Sequence, residues 1–288
     1  MPMTIEELHQ KILYPIARVS IPGRGGGSGS VIYSEPSEDN KEEYDTFVIT
    51  NHHVVADAIS RKKDWESMLG QEIEKDFYQK VDVEIFDYVY QSTVSSSNSY
   101  KADVVAYDQN HDLAVLKLNS PNKINHVAAL ISRDKIKDLR LFTPIIGCGC
   151  SLLHDPFQTR GELTSLNEII ENRQYYMTSQ NSIFGNSGGA IYLAETGEQI
   201  GVTARITNIQ LGFGIDVMTW MGFCVTASRI YEFFDEQELK FFYDPKDTYN
   251  KAMKRRESRR KARMMEIRRG SGGKGKNDSM EDDDDKWL

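Results

Sequence analysis

Cysteine is scarce in this chain, with three in 288 residues. Cys148 and Cys150, in the stretch "GCGC", stand too close together to staple a domain, and the count is odd. The pattern therefore argues against a disulfide framework and fits a reducing compartment. No further Cys or His stands at ligand spacing from that pair, so neither a metal nor another cofactor is expected. Long apolar runs are also missing: none approaches the roughly 18 residues of a membrane-spanning helix. The opening "MPMTIEELHQKIL" has neither the basic start nor the small-residue cleavage site of a secretory signal. The expectation is a soluble protein, cytoplasmic or otherwise non-secreted, with no membrane partner. Histidine is sparse too, and His9, His52, His53, His111, His126 and His154 are the only imidazoles on offer.

What is present suits a globular protein. Hydrophobic residues make up 39% and aromatic residues 10%, and the length suffices for one large or two smaller domains with a substantial core. Short runs rich in Val, Ile, Thr and Tyr recur, among them "TFVIT", "VDVEIFDYVY", "ADVVAYD", "LAVLKL", "PIIGCG", "GAIYL", "IGVTARI" and "GFCVTA". Turn signals separate them without a helix between each pair, which favours an all-β, antiparallel architecture over a parallel α/β sheet. Two closed barrels would use that many strands and remove most exposed edges.

Other segments break the pattern. Thr4 followed by Glu7 reads as a capping box opening a short helix that ends before Pro15. Residues 60–80, "SRKKDWESMLGQEIEKDFYQK", have helical composition and predict a helical surface insertion. "QSTVSSSNSYK" reads as the tip of a long hairpin. Ser228 is expected to cap "RIYEFFDEQELKFFY", whose apolar residues recur at helical spacing, with Pro245 beyond it. The organisation expected is an N-terminal helix and first barrel over residues 1–125, a second barrel and closing helix over 126–245, and an appended segment over 246–288.

The net charge of -8 conceals an asymmetry: residues 251–269 carry ten Lys or Arg against Glu257 and Glu266, followed by a Gly/Ser-rich linker and the acidic tail "MEDDDDKWL". The basic segment, read as a helix, has three open readings: folding against the acidic body, binding an acidic protein partner, or following nucleic-acid phosphates.

Chemistry concentrates in "FGNSGGAIY", which sets Ser187 between glycines ahead of a small apolar run. By itself "GNSGG" is equally a tight turn entering a strand. A serine nucleophile needs a base, and the base needs a group to orient it. His52 and His53 stand where the strand "FVIT" runs into a polar turn. Asp112 directly precedes the apolar strand "LAVLKL", a place for a strand-start cap or for a carboxylate that accepts a proton from an imidazole.

Taken together, "GSGSVIY", "FVITNHHVV", "YDQNHDLAVLKL", "RGELTSLNE" and "TSQNSIFGNSGGAIY" resemble the protease domain of trypsin-like serine peptidases of the HtrA (Deg) type, over roughly residues 8–235. The resemblance implies a chymotrypsin-like double β-barrel with the active site in the crevice between the barrels. It assigns the base to His53, its orienting carboxylate to Asp112 and the nucleophile to Ser187, with Gly185, Asn186 and Ser187 forming the oxyanion loop. It also places a primary pocket between Asn181 and Ser182 on one side and Ala204, Arg205, Ile206 and Cys224 on the other. A neutral Asn181 and a narrowing Ile206 imply cleavage after small or medium apolar residues of a protein or peptide substrate. The chain departs from the family in two respects: Phe184 replaces the usual proline before "GNSGG", and the charged residues after the protease domain are too few for a PDZ domain. The alternative is a catalytically idle protease fold used as a binding or structural protein, with the basic tail as its working part.

Overall fold

The computed structural model describes residues 2–118, 120, 122–211 and 214–271. Thr4 opens α1 (Ile5–Leu8) with the expected capping box: Thr4 Oγ1 accepts from the Glu7 N–H at 3.2 Å, and the Glu7 carboxylate accepts from the Thr4 N–H at 2.8 Å. A π-helical turn, His9–Leu13, continues it to just before Pro15.

The first barrel comes next, from β1 (Ile16–Ser20), β2 (Gly26–Pro36) and β3 (Tyr44–Thr50), the short α2 (His52–Val55), and a projecting hairpin of β4 (Ile59–Glu66) and β5 (Gln71–Tyr78). It is completed by β6 (Val81–Val89), β7 (Thr93–Asp108) and β8 (Leu113–Leu118), closing in the order β1-β2-β3-β8-β7-β6. After α3 (Arg133–Ile136) the second barrel uses β9 (Pro144–Gly149), β10 (Phe157–Ile170), β11 (Arg173–Thr178), β12 (Ala190–Leu193), β13 (Gln199–Leu211) and β14 (Gly214–Thr226). It closes in the order β10-β11-β14-β13-β12-β9. The described residues end with α4 (Ala227–Glu236) and α5 (Tyr249–Ser271). The protein is thus an all-β double barrel with helices at its ends, as the strand pattern implied.

The apolar runs "FVIT" and "LAVLKL" do not alternate with polar residues because both faces of β3 and β8 are buried. Val48, Ala114, Leu116 and Leu118 fill the first barrel with Val31, Val83 and Val104. Phe47, Ile49, Leu113 and Val115 point the other way, into a cluster shared with Val202, Phe223 and Val225 of the second barrel and Phe233 and Phe234 of α4. A strand buried on both faces reads as a continuous apolar run. Inside the second barrel each strand contributes one side chain to a layer of Ile145, Leu163, Tyr176, Ile191, Ile200 and Cys224.

Three local expectations change. Residues 60–80 form a hairpin, not a helix: Ile59 pairs with Tyr78 and Glu66 with Gln71, and Gly70 takes φ +66° in the connecting turn. Opposite charges suited to a helix surface here lie across strands, as in Arg61–Asp76 (3.3 Å), and the hairpin is further tied down by Tyr107 Oη donating to Asp76 (2.5 Å). Tertiary anchoring has overridden composition. The Ser-rich stretch is an arm of the β6–β7 hairpin, whose turn lies at residues 90–92, where Tyr90 and Gln91 adopt positive φ. Finally, α4 is capped by Thr226, whose Oγ1 accepts from the Arg229 N–H at 3.2 Å, two residues before Ser228.

The basic segment is helical and folds against the body. Ala252 and Met264 are buried, and the Tyr249 ring packs 5.1 Å from Phe47 beneath the Lys117 ammonium at 4.2 Å. Arg256 donates to the Val105 carbonyl at 3.0 Å, Arg255 bonds both Asp247 oxygens at 2.8 and 2.5 Å, and Arg260 pairs with Glu66 at 3.0 Å. The Gly/Ser-rich linker beyond Ser271 and the acidic tail lie outside the described residues. Exposed ion pairs add little each, so the apolar contacts carry most of this docking. Deleting residues 246–288 is expected to cost ~3 kcal/mol, lowering the midpoint of thermal unfolding by about 6–12 °C. Calorimetry giving an unchanged midpoint would show that the helix contributes nothing to the body.

Candidate active site

Strand β3 ends beside the start of its antiparallel neighbour β8, so the helical turn after the one and the loop before the other both lie at the crevice between the barrels. After Thr50, Asn51 takes extended geometry and opens α2, which carries His53. Asn51 Nδ2 donates to the Asp112 carbonyl at 2.8 Å, tying the end of β3 to the start of β8. Asp112 sits at φ +56°, a conformation that short polar side chains tolerate better than most. Its carboxylate grips His53 twice: Oδ1 accepts from the backbone N–H at 2.9 Å, and Oδ2 lies 2.7 Å from Nδ1. With Asp112 buried and both oxygens engaged, the imidazole has one orientation, and Nε2 is left for the crevice.

The turn before Asp112 has its own anchor. Asp108 accepts from the backbone N–H groups of Asn110 (2.9 Å) and His111 (3.1 Å), its Oδ2 lies 2.8 Å from His111 Nδ1, and Arg229 of α4 donates to it at 2.7 Å. Burial works against its charge, but Arg229 and His111 hold the carboxyl below its ordinary value of 3.8. His52 is turned away from this arrangement: it stacks on Tyr107 at 5.1 Å, and burial lowers its pKa below the ordinary imidazole value.

The second barrel supplies "GNSGG" between β11 and β12. Gly185 adopts φ +94°, and a Cβ there would come within 2.5 Å of the Leu152 nitrogen; at Gly188, φ +86°, it would come within 2.0 Å of the Ser28 carbonyl oxygen. These two positions require glycine. The Phe184 carbonyl accepts from the Leu152 N–H at 2.7 Å, so the Gly185 N–H, on the opposite side of the same trans peptide, points the other way. Neither the Gly185 N–H nor the Ser187 N–H meets an acceptor among the described residues. The Asn186 side chain is buried and accepts from Ser151 Oγ, so it braces the loop and does not face the crevice.

His53, Phe184 and Ser187 lie where two clefts adjoin, and no direct hydrogen bond joins the His53 and Ser187 side chains. One cleft, about 270 Å³, is walled by Ile21, Arg24, Val54 and Asp57 of the first barrel. The other, about 280 Å³, is lined by Ser182, Ile183, Thr203, Ala204, Arg205 and Ile206.

Four of the six residues expected in the primary pocket meet here. Asn181 does not: it is exposed, and its carbonyl accepts from Thr159 at 2.8 Å. Cys224 does not either, since it points into the second barrel. The β14 residue that stands behind Ser182 is Gly222, where a Cβ would lie 3.5 Å from that of Ser182. Ser182 is buried, its N–H donates to the Thr219 carbonyl at 2.6 Å, and its Oγ has no partner among the described residues. The Arg205 guanidinium is drawn aside by Glu171 at 2.6 Å. Ile183, Thr203 and the first-barrel wall were not identified from motif spacing; only the folded arrangement brings them to the clefts.

Among the described residues no cluster of three His, Cys, Asp or Glu side chains could hold a metal, and no helix is long and apolar enough to cross a membrane. The three cysteines are buried and free; burial pushes the Cys150 and Cys224 thiols up to about 12 and Cys148 higher still, which keeps them protonated and unreactive at neutral pH.

Two closed antiparallel barrels that bring a His–Asp pair and a serine on a glycine turn to one crevice define the class of chymotrypsin-like peptidase folds. A family model, "Trypsin-like peptidase domain", matches residues 27–202, and the chain belongs to this family as a trypsin-like serine endopeptidase. The solved structure titled "Crystal structure of Deg5" is similar in fold, with a TM-score of 0.53 and 20% identity over 80% of this chain and 94% of that one. No curated protein matches this chain.

The Asp108 anchor gives a pH-dependent prediction. Its folded pKa is depressed, so its contribution to stability is present above the unfolded value near 3.8 and is lost as pH falls through the folded value. Asp108→Asn, which leaves Arg229 short of a partner, is expected to cost about 2–3 kcal/mol at pH 7. In urea titrations the gap between variant and parent should shrink as pH drops below 4; a constant gap would contradict this account.

Proposed function

We propose that this peptidase cleaves protein substrates through an acyl-enzyme, with Ser187 as nucleophile, His53 as general base and Asp112 as orienting carboxylate. The observation that carries the reading is the two-point grip of Asp112 on His53, at a crevice where Ser187 stands beside unpaired Gly185 and Ser187 N–H groups. His53 Nε2 takes the Ser187 Oγ proton as oxygen attacks the scissile carbonyl, and Asp112 stabilises the imidazolium that forms. The two N–H groups receive the developing oxyanion; losing one such donor costs about 3 kcal/mol of transition-state stabilisation. His53 then protonates the departing amine, and water, activated in the same way, releases the acid product. The absence of a His53–Ser187 hydrogen bond fits a resting enzyme in which this contact tightens when substrate binds.

A fluorophosphonate probe tests the assignment. It should label the protein at Ser187, with labelling abolished in Ser187→Ala and His53→Ala and largely kept in His52→Ala. Asp112→Asn should lower kcat by about 10⁴, since the amide favours the wrong tautomer. A protein that needed His52 and tolerated loss of His53 would refute the choice of base.

The substrate preference derives from the 280 Å³ cleft, whose lining of Ser182, Ile183, Thr203, Ala204 and Ile206 offers no carboxylate to a basic side chain. Cleavage is expected after Val, Ala, Leu or similar residues in an extended segment. Gly222→Val, which places methyl groups against Ser182, should cut kcat/KM for Leu-directed cleavage at least tenfold while reducing Ala-directed cleavage less. A peptide-library profile dominated by Lys and Arg would contradict the pocket.

A further inference from the structure

Resting on the proposed catalytic reading, the geometry points to a role for a residue outside the triad and the oxyanion loop. We propose that Ser28, a side chain of β2 in the first barrel, is the positioning residue that holds the oxyanion turn of the second barrel in its donating orientation. Ser28 is completely buried. Its Oγ donates to the Gly185 carbonyl at 2.7 Å and accepts from the Cys150 N–H at 2.7 Å, while its backbone N–H donates to the Ser187 carbonyl at 2.8 Å. Its own carbonyl accepts from Thr50 Oγ1 at 2.7 Å, which ties it to the end of β3, one residue before the strand gives way to α2.

The need for such a clamp arises from Gly185. A residue without Cβ at φ +94° meets little steric resistance to rotation of its flanking peptides. Rotating the Phe184–Gly185 peptide would turn the Gly185 N–H out of the crevice and bring the Phe184 carbonyl in, replacing a donor with an acceptor where negative charge develops. Sterics do not forbid this, so hydrogen bonds must. Leu152 holds the carbonyl before Gly185, and Ser28 holds the carbonyl after it. Of the two, the Leu152 donor belongs to the second barrel and moves with the loop's own surroundings, whereas Ser28 belongs to the barrel that carries His53. Ser28 therefore registers the oxyanion donors against the base as well as fixing their direction. Phe184, standing where the resembled family has proline, supplies no rigid φ of its own, which increases the turn's reliance on these two contacts.

The test compares the full-length parent with Ser28→Ala, Ser28→Cys and Ser187→Ala, using a peptide drawn from the cleavage profile and a peptidyl trifluoromethyl ketone as oxyanion-forming inhibitor. Ser28→Ala is expected to lower kcat 10- to 100-fold with KM within twofold. Affinity for the ketone should fall in step with kcat/KM, and the pH midpoint of kcat/KM should not move, because His53 and Asp112 are untouched. Ser28→Cys, which retains a weak donor, should recover part of kcat and serves if the alanine variant fails to fold. A Ser28→Ala protein with parental kcat and ketone affinity overturns the proposal, as does a loss that appears in KM alone or a shifted pH midpoint. A parent that neither cleaves peptide nor reacts with fluorophosphonate overturns the catalytic reading and this proposal with it.

Discussion

The apolar seam between the barrels is the constraint on which the rest depends. Phe47, Ile49, Leu113 and Val115 turn their side chains out of the first barrel and meet Val202, Phe223 and Val225 of the second, with Phe233 and Phe234 of α4 closing the cluster. Each such side chain contributes about 1.5–3 kcal/mol on burial. Because protein interiors are packed as densely as organic crystals, the seam admits one relative placement of the barrels. The strands that make it are those whose ends carry His53 and Asp112, so the packing that joins the barrels also aims His53 at the loop bearing Ser187.

Polar contacts at the margin of the seam refine that placement. Arg229 reaches from α4 to Asp108 beneath the turn that presents Asp112, and Ser28 reaches from β2 to Gly185. Both are buried or nearly so, where an unmade hydrogen bond is costly and a made one is directional. The hydrophobic seam supplies most of the free energy but little angular definition, whereas these bonds define angles at donor and acceptor atoms. The short helices α1 and α2, the β4–β5 hairpin and α5 are arranged around this frame. The hairpin and α5 also brace one another through Glu66 and Arg260, on the side of the first barrel where Tyr107 stacks on His52.

How much was legible in the sequence differs by segment for physical reasons. Strands buried on both faces were recognisable as short β-branched runs, and the candidates for base, carboxylate and nucleophile lay in local motifs whose turns are set by nearby residues. The β4–β5 hairpin was misread because its alternating charges and few apolar residues suit a helix surface equally well, and only Asp76, Glu66 and their distant partners make the extended form preferable. Cys224, expected in the pocket wall, faces the barrel interior for a different reason. Register shifts interrupt the β13–β14 pairing between Thr203 and Arg205 and again between Ile206 and Thr207, and counting along a motif cannot see a bulge.

By itself the sequence determined the all-β class and most of the barrel strands, which show in side-chain periodicity, and the order of the local motifs that hold His53, Asp112 and Ser187, each spanning residues a few positions apart. Only the tertiary structure decided which side chains share the crevice: that Asp112 holds His53 at two points, that Cys224 faces the barrel interior while Gly222 stands behind Ser182, and that Ser28 and Gly185, separated by 157 residues, share a hydrogen bond. Such contacts are products of barrel closure and barrel-on-barrel packing, which no local stretch of chain encodes.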